Sequence, residues 1–255
     1  MEVKTVEADV RTKAIVTGHS RGLGAALAEE LLARGIGVLG LARQPNAALA
    51  AAHPGLLREQ RLDLADSAAL AAWLAGPALR DWLAGAETVL LINNAGTLQP
   101  MALLPAQDPA AVAQAIALSV AAPLMLSAAL VAASPAAGER RILHVSSGAA
   151  RKPYAGWSVY CAGKAALDHH ARAVQVEASP GVRICSLAPG VLDTAMQGEI
   201  RATTTEYFPL RDRFVEMQRS GGLVAPAECA MHLVDYLLDA DFGREAVADL
   251  RDLMQ

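Results

Sequence analysis

Tyr160 and Lys164 stand four apart in WSVYCAGKAAL, residues 157–167, within a run of good helix formers. On a helix that spacing puts both side chains on one face. A phenol beside an ammonium is either a packed surface pair or a proton donor next to the charge that tunes it. A free tyrosine titrates near ~10, too high for easy acid–base work at neutrality. A lysine one turn away stabilises the phenolate and draws that value down. The spacing alone is common, so the meaning of the pair depends on what else the chain brings to it.

A second stretch with chemical potential is TGHSRGLG, from Thr17 to Gly24, directly after an apolar run and before a helical one. Glycines let a backbone approach a pyrophosphate, and a helix N-terminus favours an anion. The glycines Gly18, Gly22 and Gly24 depart from the GxGxxG spacing, but the position after the first strand points to a dinucleotide. A carboxylate about 20 residues later would hold a free ribose 2′-hydroxyl. Here that region reads LGLARQP, with Arg43 and no acid, and Arg21 lies inside the turn. Two guanidiniums suit a 2′-phosphate, so NADP(H) is expected over NAD(H). Asp63, in LDL, is placed to accept from an adenine amine or to cap a turn.

The elements that position these residues are legible as short apolar runs alternating with helical stretches. Strands are expected at 13–18, 37–42, within 56–64, at 88–93, 141–147 and 182–190. Helices are expected at about 23–33 and 67–83, from 109 onward, and around Tyr160. Residues 245–250 read as a last strand or as helix. Such alternation argues an α/β protein with a single Rossmann-type, doubly wound parallel sheet and helices on both faces. No repeat or linker divides residues 1–255, so one domain is expected.

The chain has 255 residues, 53% of them hydrophobic, and a net charge of −4, which offers nucleic acid no basic field. Its cysteines, Cys161, Cys185 and Cys229, are scattered and odd in number, as suits a reducing cytoplasm. No metal-ligand spacing appears, so no metal site is expected, and His169-His170 reads as ordinary surface. The charged N-terminus is not a signal peptide. Between Pro109 and Gly138 no charged residue occurs, long enough to span a bilayer. The stretch is mostly alanine, so a helix buried on nearly all sides, in a core or between subunits, is expected instead of a membrane span.

Taken together, the motifs resemble the short-chain dehydrogenase/reductase family over nearly the whole chain. TGHSRGLG matches its cofactor turn, NNAG (93–96) its fourth-strand motif, VSSGAA its serine, YCAGK its tyrosine and lysine, and PGVLDT (189–194) the turn after its sixth strand. The resemblance implies Tyr160 as proton donor, Lys164 as its partner and ligand of the nicotinamide ribose, and Ser147, 13 residues before Tyr160, as holder of the carbonyl oxygen; adjacent Ser146 is a lesser candidate. It implies cofactor contacts from Gly18, Ser20, Arg21, Gly22, Leu23 and Gly24. Further contacts fall to Arg43, Asp63 and Leu64, to Asn94, Ala95 and Gly96, and to Pro189, Gly190, Val191 and Thr194. KPYAGWSVYCAGKAALD and APGVLDTAMQGEIR are similar to the sepiapterin and benzil reductase branch. That likeness implies NADPH-dependent reduction of a vicinal dicarbonyl, a pterin side chain or an aryl diketone. Trp157, Met196 and Asp249 are the implied substrate residues, with Asp252 as the fallback for Asp249. A homodimer or homotetramer is implied, joined through the uncharged helix and the helix after Tyr160.

One position departs from the family pattern. Ser119 stands in ALSVAAP where the family has an asparagine that holds a water beside the lysine, and Gln114 is nearby. Residues from about 194 to 225, with Met196, Tyr207, Phe208, Phe214 and Met217, are expected to cover the substrate as a lid or to form a helical surface insertion. Two rival readings stand beside the reductase. One is an alcohol or steroid dehydrogenase on the same fold; the other is a non-catalytic NADP(H)-binding redox sensor, favoured only by Ser119.

Overall fold

The computed structural model describes residues 11–254, so most of the charged N-terminal stretch lies outside the described residues. The strands are β1 (Thr12–Thr17), β2 (Gly37–Ala42), β3 (Leu57–Arg61), β4 (Thr88–Asn93), β5 (Glu139–Val145), β6 (Val182–Ala188) and β7 (Val247–Asp249); apolar runs form the central ones, whereas β3, LREQR, is a polar edge strand. Among the described residues they make one parallel sheet in the order β3-β2-β1-β4-β5-β6-β7. Every residue of β2 is buried, as expected of a strand covered on both faces.

Helix α1 (Gly22–Ala33) packs on one face with α2 (Ala47–Ala52), through Leu49, and with α10 (Pro226–Leu238), where Leu27, Leu31, Leu233 and Val234 are fully covered. Each such side chain contributes roughly 1.5–3 kcal/mol by leaving water. The opposite face carries α3 (Ser67–Ala75), α4 (Ala78–Leu83), α5 (Pro109–Ile116), α6 (Ala122–Ala133) and α7 (Ser158–Glu177). The order reverses between β1 and β4, and a ligand crevice opens at the carboxyl ends of strands around such a reversal.

Several boundaries differ from those read in the sequence. The helix expected at 67–83 is two helices, because Gly76 and Pro77 interrupt it. β5 stops at Val145, two residues earlier than expected, and the chain turns into the crevice at Ser147. The tail is both alternatives at once: β7 ends at Asp249, whose side chain accepts from the Arg251 amide and caps α11 (Leu250–Leu253). The uncharged stretch is helical from Pro109 to Ala133, but it is not buried on nearly all sides. Leu126, Ser127 and Leu130 are covered, whereas Ala113 and Ile116 face outward. In length and composition it is the one helix among the described residues that could cross a membrane.

His170 corrects another expectation. His169 is exposed, but His170 is half-buried and its Nδ1 lies 3.0 Å from His144 Nε2. The register places Asn93, His144 and Ser186 side by side across β4, β5 and β6. Asn93 Nδ2 lies 3.0 Å from His144 Nδ1, so a polar row runs beneath α7. Sequence reading missed this row because the contact is made across three strands.

Burial holds the His144 imidazole down at about 3, and His170 and Lys164 push in the same direction. The folded chain therefore keeps this ring neutral where the unfolded chain, with an ordinary value near ~6.5, takes up a proton. The contribution to stability is intact above pH ~6.5 and is lost as pH falls toward about 3, at up to ~1.4 kcal/mol per pH unit. His144→Asn is expected to flatten that part of the pH dependence. Urea titrations of both proteins between pH 7 and 4 check it, and equal slopes would assign the acid sensitivity to other groups.

Candidate active site

The crevice at the carboxyl ends of the strands has a volume of about 1300 Å³. Every cofactor, catalytic and substrate residue named from the sequence lines it, with the single exception of Ser119. The glycine turn forms one wall. A Cβ on Gly24 would lie 2.1 Å from the Gly18 carbonyl oxygen and 2.5 Å from Asn94 Nδ2, so no larger residue fits there. Asn94 is drawn to this turn: its backbone N–H donates to Thr17 Oγ1 at 2.9 Å and its side chain to the Thr17 carbonyl at 3.0 Å. TG and NNAG are thereby one unit.

The start of α1 tests whether a dinucleotide fits. Arg21 occupies the N-cap with extended backbone and makes no side-chain cap hydrogen bond. The first amides of a twelve-residue helix thus point into the crevice without a side-chain partner, as an anion requires. Arg21 and Arg43 are both exposed on its wall. Asp63 also lines it, with one oxygen accepting from the Ala65 amide at 3.0 Å, so its turn role is realised. The site fits a nicotinamide dinucleotide.

At the other end of the crevice Ser147, Tyr160 and Lys164 meet. Ser147 starts the turn after β5, and its Oγ accepts from the Ala149 amide at 3.1 Å. Its hydroxyl also hydrogen-bonds the Tyr160 phenol, which draws the phenol's pKa down, but burial outweighs this and the net displacement is upward. The simple expectation of a lowered tyrosine is therefore corrected: the phenol holds its proton. Lys164 lies one turn further along α7, its Nζ 5.7 Å from the centre of the Tyr160 ring, and donates to the Val145 carbonyl at 2.6 Å. It is 5% exposed, and burial brings its pKa down to about 8 against the opposing pull of Asp168.

Ser119 is buried behind the crevice, on a π-helical turn, Ala117–Ala121, that joins α5 to α6. Such turns occur at functional sites. A Cβ on Gly96 would lie 3.9 Å from Ser119 Oγ and 3.7 Å from Lys164 Nζ, which puts the serine in the neighbourhood of the lysine. Gln114 lines the crevice instead.

A scan against family models matches residues 12–205 to short chain dehydrogenase. The chain belongs to this family. Benzil reductase ((S)-benzoin forming) of Bacillus cereus is 31% identical over 240 residues, covering 91% of this chain and 96% of the relative. Sepiapterin reductase of Meriones unguiculatus is 35% identical over 252 residues, covering 93% and 95%. A solved short-chain dehydrogenase/reductase from Burkholderia vietnamiensis is 54% identical, with a TM-score of 0.71 and coverage of 96% and 100%. This short-chain dehydrogenase is an oxidoreductase of the branch that holds the benzil and sepiapterin reductases.

In this short-chain dehydrogenase the substrate end of the crevice has an aromatic floor. Trp157 stacks on Phe208 with centroids 4.4 Å apart and planes at 12°, and meets Tyr160 edge-on at 5.4 Å. Gly156, at φ +85°, has no room for a side chain: a Cβ would lie 2.2 Å from the Tyr207 carbonyl oxygen. The segment expected to cover the substrate holds α8 (Ala195–Ala202) and α9 (Arg211–Arg219), and Ile200, Phe208 and Phe214 anchor it in the same cluster. Phe208 and Phe214 face inward because Trp157 offers them a surface, whereas Tyr207 and Leu210 are exposed. Asp249 reaches the crevice but is paired, with Arg251 donating to both of its oxygens at 2.8 and 2.7 Å and Arg151 at 3.2 Å. These arginines hold its pKa low. Sequence reading missed Arg151 for want of any motif.

Proposed function

We propose that the chain is an NADPH-dependent reductase of vicinal dicarbonyls, with aryl diketones as its preferred substrates. The observation that carries this reading is the protonated Tyr160 phenol bonded to Ser147 above the Lys164 ammonium, at the end of a crevice fitted to a dinucleotide. When bound, the nicotinamide supplies hydride to the substrate carbonyl carbon. Tyr160 donates its proton to the carbonyl oxygen as charge develops there. Ser147 donates a hydrogen bond to the same oxygen and orients it. Lys164 stabilises the phenolate that Tyr160 leaves behind and would hold the nicotinamide ribose. Two relatives, one named for benzil and one for sepiapterin, support a dicarbonyl substrate.

The diketone is favoured over the pterin by Asp249. A pterin ring would offer N–H donors to that carboxylate, but two guanidiniums already occupy it. The floor of Trp157, Phe214 and Met196 suits aryl rings. The test is NADPH consumption with benzil, sepiapterin and a steroid ketone, run beside oxidation of secondary alcohols. Benzil is expected to be turned over at least about tenfold faster than sepiapterin, since displacing an ionic hydrogen bond costs about 1.5–3 kcal/mol. Faster alcohol oxidation would favour the dehydrogenase reading, and cofactor binding without turnover the sensor.

We also propose that the protein works in the cytoplasm as a homodimer or homotetramer, paired through the outward faces of α5, α6 and α7. The support is the uncharged surface around Ile116 and the 85% exposed Val176, which water covers poorly. A purely monomeric sedimentation profile at micromolar concentration would sink this.

A further inference from the structure

Asp168 is the one acid in the interior of α7, and it is 3% exposed. Tyr160, Lys164 and Asp168 follow each other at intervals of four, so the carboxylate sits one turn below the lysine on the same helix face. Its Oδ1 accepts from two buried hydroxyls: Ser146 Oγ at 2.6 Å and Ser186 Oγ at 2.7 Å. Ser146 precedes Ser147 in the turn after β5, and its amide donates to the Leu187 carbonyl at 2.8 Å. Ser186 lies on β6, three residues before the Pro189–Gly190 turn that lines the crevice. One oxygen atom thus joins the strand end carrying the catalytic serine, the helix carrying the tyrosine and lysine, and the strand leading to the cofactor turn.

We propose that Asp168 is a positioning residue of the reductase site, fixing these three elements in register and supplying the buried negative charge opposite the Lys164 ammonium. A buried ammonium is costly unless an opposite charge compensates it. The other titratable groups around the pair do not serve. Tyr160 faces it from α7, His144 from β5 with His170 behind that ring, and Cys185 from β6. Burial keeps the thiol and phenol protonated and the two imidazoles neutral. Asp168 is the group whose charge acts to keep the lysine protonated.

The inference rests on the reductase reading, so the test separates the two. Lys164 is titrated directly by NMR of its side-chain amine in the unliganded full chain, and kcat for benzil with NADPH is measured across the same pH range. In the wild type the lysine is expected to lose its proton at about 8, and kcat to fall as pH rises through that value. Asp168→Asn keeps the shape and can still accept from both serines, but lacks the charge. It is expected to lower both midpoints by about one pH unit or more, whereas Asp168→Glu restores them. The double variant Ser146→Ala/Ser186→Ala removes the ties but keeps the carboxylate; it lowers Tm by several degrees and leaves the lysine midpoint in place. If Asp168→Asn does not fold, Asp168→Ser reads the same shift. An unchanged lysine midpoint in the charge-free variant overturns the proposal, whatever happens to Tm. A shifted midpoint in a protein that reduces no dicarbonyl upholds the Asp168–Lys164 coupling and sinks the reductase reading instead.

Discussion

Tyr160→Phe is expected to lower kcat for carbonyl reduction by about 10²–10⁴-fold, the contribution of a positioned general acid, while leaving the dissociation constant for NADPH within about twofold. The substitution removes one oxygen. The ring keeps its edge-on contact with Trp157 and its place beside Lys164, so packing changes little. What is lost is the proton that burial keeps on the phenol, and with it the hydrogen bond to Ser147. A carbonyl accepting hydride would then have only the Ser147 hydroxyl nearby, far too weak an acid to replace it. Rapid-mixing measurement of NADPH oxidation in a single turnover checks this at the chemical step, free of product release. Single-turnover rates within threefold of the wild type would remove Tyr160 from the mechanism. Loss of NADPH binding in the same variant would mean that the ring's role is structural.

How much of this site could be read beforehand follows from how local each contact is. The glycine turn, NNAG and the tyrosine–lysine pair were legible because each is a short segment whose backbone geometry demands particular residues, such as Gly24 against the Gly18 carbonyl. The parallel sheet was legible because buried strands are continuous apolar runs. Asp168 could have been found, since it continues the four-residue spacing of Tyr160 and Lys164. Its partners could not, because Ser146 and Ser186 lie on different strands and only the register brings them to it. The same holds for the His144–His170 contact, which half-buries one member of an apparently ordinary surface pair. The covering segment read as a lid or a surface insertion because its helices are exposed on one side; the aromatic anchor appears only when Phe208 is seen against Trp157.

The second large effect concerns the cofactor. Arg43→Asp is expected to reverse the preference from NADPH to NADH, weakening NADPH by about 10–100-fold or more. Arg43 directly follows β2, where the adenosine ribose of a bound dinucleotide would lie, and it is exposed on the crevice wall. A charged hydrogen bond to a 2′-phosphate contributes about 1.5–3 kcal/mol, which as a ratio spans that range. A carboxylate in its place adds repulsion against the phosphate and offers an acceptor to a free 2′-hydroxyl. Glu59 does not do this already: its carboxylate accepts from His19 at 2.7 Å and from the Asn46 amide at 2.6 Å, which commits it to holding the turn. Arg21, across the same wall, would still attract the phosphate, so Arg21→Ala with Arg43→Asp is expected to complete the reversal. Because both guanidiniums are exposed, the NADPH preference should shrink as salt is raised. Titration of protein fluorescence with each cofactor at low and high ionic strength measures all of this. Equal affinity of the wild type for NADH and NADPH at low salt would end the arginine argument, and with it the assignment of NADPH as the reductant.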